Sequence, residues 1–179
     1  GILRYSYCDP AFIMGTAMTM ARPLQDWAAI SSQNRWQGVI FAGEEEARIV
    51  PIVRPEDNRV ALNAQWSVQS KGSLITQKLQ HHRGGAEMIV WLSRDGLSEP
   101  VEEEDIIFVE AENAYAAIKV VQGGFQWRDA PYVAMTGEKY ERSTPEGKTL
   151  ILDEEYAPVI LEVMAGSDVN SFDNFKAMV

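Results

Sequence analysis

Val60-Ala61-Leu62-Asn63-Ala64-Gln65-Trp66-Ser67-Val68-Gln69 alternates residue by residue, with apolar side chains at 60, 62, 64, 66 and 68 and amides or a hydroxyl at 63, 65, 67 and 69. A period of two is the repeat of a β-strand, whose successive side chains point to opposite sides. The pattern predicts a long strand with Trp66 in the core and Asn63, Gln65, Ser67 and Gln69 on a polar face. Such a row of amides is either an ordinary wetted sheet surface or the wall of a sugar-binding groove. Lys71-Gly72 supplies a turn, and Ser73 to Gln80 reads as the return strand of a hairpin.

The chain on either side repeats this theme. Residues 2–8 read as a strand closed by Asp9-Pro10, and 12–18, 36–42 and 48–53 as further strands. Pro51 cannot donate to a ladder, so it argues that the strand at 48–53 lies at an edge or carries a bulge. Met88-Ile89-Val90-Trp91-Leu92 is apolar throughout, as a central strand covered on both faces should be. Ile106 to Glu110, Tyr115 to Val121, Thr149 to Leu152 and Pro158 to Met164 add short β-branched runs between polar turns. Helix is expected only near 24–30 and 171–178, and residues 128–148 form the longest irregular stretch, a candidate functional loop. About ten short strands with so little helix predict an all-β fold, an antiparallel β-sandwich.

The chain has 179 residues, 46% hydrophobic and 23% charged, the composition of one globular domain. Gly1 precedes a strand without an initiator Met, and 171–179 begins a helical pattern that stops without a cap. The expectation is a single sandwich domain, 1–179, excised from a longer chain. A net charge of -10 with scattered basic residues argues against a nucleic-acid partner. No apolar run reaches the roughly 18 residues of a membrane span. The single cysteine, Cys8, excludes an intrachain disulfide and a cysteine metal cluster.

Chemistry is sparser. Ser31-Ser32-Gln33-Asn34-Arg35-Trp36-Gln37-Gly38-Val39-Ile40-Phe41 sets planar amides, a guanidinium and an indole before a short apolar strand. Those groups offer paired donors and acceptors beside a stacking face, the chemistry that recognises sugars. The competing reading has them satisfying backbone groups at a sheet corner, with Trp36 in the core. His81-His82-Arg83 could furnish a base, or could be a solvated turn; adjacent histidines point apart, which disfavours metal binding. Glu102-Glu103-Glu104-Asp105 reads as a solvated charge run. Trp127 and Tyr132, beside the long loop, are candidates for sugar stacking. There is no nucleophile elbow, phosphate loop or dinucleotide fingerprint, so no cofactor is expected.

The segments Ser31 to Phe41, Gln65 to Gly72 and Tyr115 to Val121 are similar to the β-sandwich that follows a helical toroid in bacterial heparinase II/III-like, polysaccharide-lyase-like proteins. The resemblance implies a secreted or periplasmic protein acting on a polysaccharide or oligosaccharide. It also implies a helical domain, missing here, that the sandwich braces while shaping one wall of a cleft. In the enzymatic version, β-elimination on an acidic polysaccharide, His81 or His82 would be the base and Asn34 and Arg35 the charge stabilisers. Two other classes stay open. A free-standing carbohydrate-binding module would expose aromatic rings among Trp36, Trp127 and Tyr132, whereas an assembly domain would show an apolar patch and no concave polar site.

Overall fold

A computed structural model describes residues 2–19, 37–43, 47–55, 65–79, 86–129 and 146–179. Among these residues thirteen strands run in chain order: β1 Ile2–Asp9, β2 Phe12–Thr19, β3 Gly38–Phe41, β4 Arg48–Pro55, β5 Gln65–Ser70, β6 Ser73–Lys78 and β7 Ala86–Ser93, then β8 Val101–Glu103, β9 Ile106–Glu110, β10 Ala114–Val120, β11 Phe125–Asp129, β12 Gly147–Leu152 and β13 Val159–Ala165. Two short helices close the chain, α1 Gly166–Val169 and α2 Phe172–Met178. The strands form two antiparallel sheets in the orders β1-β2-β3-β4-β7-β12-β11 and β5-β6-β13-β10-β9-β8. The expected β-sandwich is the observed architecture.

The two inner faces share one core. Met14, Val39, Ile49, Val90 and Leu150 from the first sheet meet Leu74, Ile118, Val159 and Leu161 from the second, and each is fully buried or within 1% of it. β7 fulfils its all-apolar pattern, since Met88, Ile89, Val90, Trp91 and Leu92 are all buried between β4 and β12. The β5–β6 hairpin turns at Lys71-Gly72, where Lys71 adopts φ 51°.

The outer face of the second sheet has a lid of its own. Ser171 caps α2 by accepting the Asn174 N–H at 3.1 Å. The helix then lays Phe175, 0% exposed, against Tyr115 of β10 and Phe108 of β9, with ring centroids 5.9 and 6.1 Å away. Phe172 stacks on Tyr115 at 5.4 Å. This aromatic cluster covers β9 and β10. It leaves the outer face of β5 and β6 to solvent.

Three sequence expectations are corrected. The alternation that begins at Val60 is described from Gln65 onward, and there its sidedness is inverted: Trp66 is 54% and Val68 68% exposed, while Ser67 is 2% exposed. Phe125 to Asp129 form a strand that weak hydropathy concealed, while Glu102 and Glu103 are exposed, as a solvated charge run should be, and sit on the short edge strand β8. At the ends of the stretch 128–148, read as irregular, Arg128 and Asp129 belong to β11 and Gly147 and Lys148 to β12, while 130–145 lies outside the described residues. The helix expected near 24–30 lies outside the described residues.

Candidate functional site

Pro51 explains the inverted strand. β4 pairs with β3 only at Arg48 and Ile49, although it pairs with β7 as far as Pro55. Beyond that overlap the Pro51 carbonyl and the Val53 N–H have no β3 residue to meet. Buried backbone groups left unpaired are costly, so a substitute must be found. Side-chain amides provide it. Gln37 donates from Nε2 to the Pro51 carbonyl at 2.5 Å, and the Val53 N–H donates to Gln65 Oε1 at 2.8 Å. Gln65 Nε2 reaches the same carbonyl at 3.5 Å and Thr76 Oγ1 at 3.2 Å, so its amide stands beside β4 much as a peptide group would.

The seam continues through the sandwich. Ser67 Oγ donates to Gln37 Oε1 at 2.7 Å and lies 3.0 Å from Thr76 Oγ1, which itself donates to the Trp66 carbonyl at 3.1 Å. Farther along β5, Gln69 Nε2 donates to the carbonyls of Met14 and Lys71. The described part of the row, Gln65, Ser67 and Gln69, read from the sequence as a wetted sheet surface or the wall of a sugar groove, therefore turns inward and holds β5 to the opposite sheet.

Period two then fixes the other face. With Gln65, Ser67 and Gln69 committed inward, Trp66 and Val68 point outward, joined by Ile75 of β6, which stands opposite Val68 and is 49% exposed. Ile160 of β13, opposite Ile75, extends the row and is half-buried. Gln77 lies opposite Trp66 and donates from its amide to the Tyr156 carbonyl at 2.7 Å. None of these residues is charged, in a chain whose net charge is -10. The patch sits on the same sheet face that α2 covers farther along, and among the described residues nothing covers it.

A part-buried ion pair borders this region. Lys78, at the end of β6, turns inward; its side chain is 1% exposed, it pairs with Glu155, and its ammonium lies 5.3 Å above the Tyr156 ring. Burial holds this ammonium below the usual lysine range. At the far edge of the sheet, β8 and the turn after it are fastened by acidic side chains. Glu102 accepts the Trp127 indole N–H at 2.7 Å, Glu103 pairs with Lys176 of α2 at 2.6 Å, and Asp105 pairs with Lys119 at 2.9 Å.

Trp127 is the one predicted site residue within the described structure. It is half-buried, packs edge-to-face on Phe125 with centroids 5.9 Å apart, and has its N–H engaged by Glu102. Asn34, Arg35, Trp36, His81, His82 and Tyr132 lie outside the described residues. A notch of about 20 Å³ between Leu92, Leu97, Ser98 and Lys148 has room for about one water. Among the described residues there is no group of three or more metal-ligating side chains, and no helix is long and apolar enough to cross a membrane.

Sequence reasoning missed the seam because Gln37, Ser67 and Thr76 look like surface residues, the inward face of β5 is polar, and β6 carries mixed polarity on both faces. Pro51 was the available signal, since it marks a strand whose edge needs another partner. No family model matches the chain, and neither a curated protein nor a solved structure does, so the likeness to heparinase II/III-type sandwiches rests on the three sequence segments named above.

Proposed function

We propose that this sandwich is a non-catalytic accessory domain that works by docking, its contact surface being the open outer face of β5 and β6. One observation carries the reading: Trp66, Val68 and Ile75 form an uncharged apolar patch on a regular sheet, and among the described residues nothing covers it. Apolar patches rimmed by polar groups mark interaction surfaces, and a half-exposed Trp is the side chain most often found at the energetic centre of an interface. The occupant we favour is the helical domain of a longer glycan-processing chain, which the sandwich would brace. Titrating the sandwich with that neighbouring domain, read by tryptophan fluorescence, tests this. Binding that is lost in a folded Trp66→Ser, Val68→Ser, Ile75→Ser variant supports the proposal. Undiminished binding by that variant refutes it.

A second reading is favoured by the register that sets Gln77 opposite the exposed Trp66 across the strand pair. An indole with an amide beside it is a minimal platform for a sugar ring. Oligosaccharides that protect tryptophan from acrylamide quenching in the parent and in Trp127→Phe, but not in Trp66→Ala, would assign carbohydrate binding to this face. The lyase version keeps its base at His81 or His82. It requires new ultraviolet absorbance from unsaturated products, lost on replacing those histidines.

A further inference from the structure

We draw no further inference here: the strongest candidate, the uncovered apolar face of Trp66, Val68 and Ile75 on the β5–β6 hairpin, belongs to the site already described, and nothing in the structure shows which other partner would cover it.

Discussion

Replacing Gln65 by Leu tests the inverted strand most directly. If the amides of β5 lay on a wetted outer face, the substitution would exchange one surface side chain for another and change stability by no more than about 0.5 kcal/mol. In the structure Gln65 Oε1 is the partner of the Val53 N–H, on a residue 2% exposed. Leucine is close in size and cannot accept that hydrogen. A buried donor left without a partner costs about 1–3 kcal/mol. The bonds of Gln65 Nε2, at 3.2 and 3.5 Å, are long and add little. The apolar burial gained by Leu offsets part of the loss, so the expected cost is about 2 kcal/mol. For a domain of this size that lowers Tm by roughly 4–8 °C. The partner experiment is Trp66→Ala on the adjacent residue. A core tryptophan would cost about 3–5 kcal/mol; this one, 54% exposed, should cost no more than about 1.5 kcal/mol. Urea unfolding with unchanged m-values reads both. A neutral Gln65→Leu together with a severe Trp66→Ala would overturn the assignment of faces.

Four other outcomes follow from the same geometry. A Cβ at Gly147 would stand 2.3 Å from the Leu92 carbonyl oxygen and 2.5 Å from the Trp91 indole nitrogen, so Gly147→Ala should cost about 3 kcal/mol or prevent folding; Gly166→Ala, whose nearest contact would be 3.4 Å, should stay within about 1 kcal/mol of the parent in the same denaturation assay. The Lys119 ammonium beside Asp105 holds its carboxyl below the ordinary value of 3.8, so the folded state binds fewer protons than the unfolded one in that window. Its stabilisation is present above the unfolded value and is lost as pH falls through the folded one, and thermal melts of Asp105→Asn should show a shallower decline below pH 4. Lys176 is raised by its hydrogen bond to Glu103, so its contribution is complete below the ordinary lysine value of 10.5 and disappears as pH rises through the folded value; Lys176→Met should flatten that alkaline limb. Glu102→Ala removes the acceptor of the Trp127 N–H and should shift tryptophan emission at a stability cost of about 1 kcal/mol, whereas an unchanged spectrum would mean that the bond does not form in solution.

The sheets were legible because their inner faces are consistent from residue to residue. β7 is apolar from Met88 to Leu92, β13 buries alternate residues, β10 buries all but Tyr115 and Lys119, and the breakers between strands are ordinary turn formers. α2 was legible for a different reason: Phe172 and Phe175 fall three residues apart on one helical face behind a serine cap. β5 was legible as a strand but not in its sidedness. Alternation gives the period, while the choice of face depends on what waits across the sandwich. At β5 that is the unpaired edge of β4, a feature that no local window contains. β8 escaped notice because three exposed residues carry no periodicity, and its place is held by carboxylates reaching Trp127 and Lys176 from distant parts of the chain.

The seam and the open face are one feature seen from two sides. β3 stops at Gly38, so among the described residues no strand pairs with Pro51 and Val53 on that side of β4, and the side-chain amides of Gln37 and Gln65 reach them instead. Once Gln65 and Ser67 serve that purpose, the pleat sends Trp66 and Val68 to the other side. Polar residues at 66 and 68 would satisfy the backbone equally well, because nothing in the seam requires an outward indole. The seam accounts for the direction of Trp66 and leaves its chemistry unexplained. α2 shows how this chain treats an outward aromatic patch that serves packing alone: Tyr115 and Phe108 are covered by Phe172 and Phe175. On the same sheet, Trp66, Val68 and Ile75 have no such cover among the described residues. That contrast, within a single face of a single sheet, is what makes docking the better account of them than core packing.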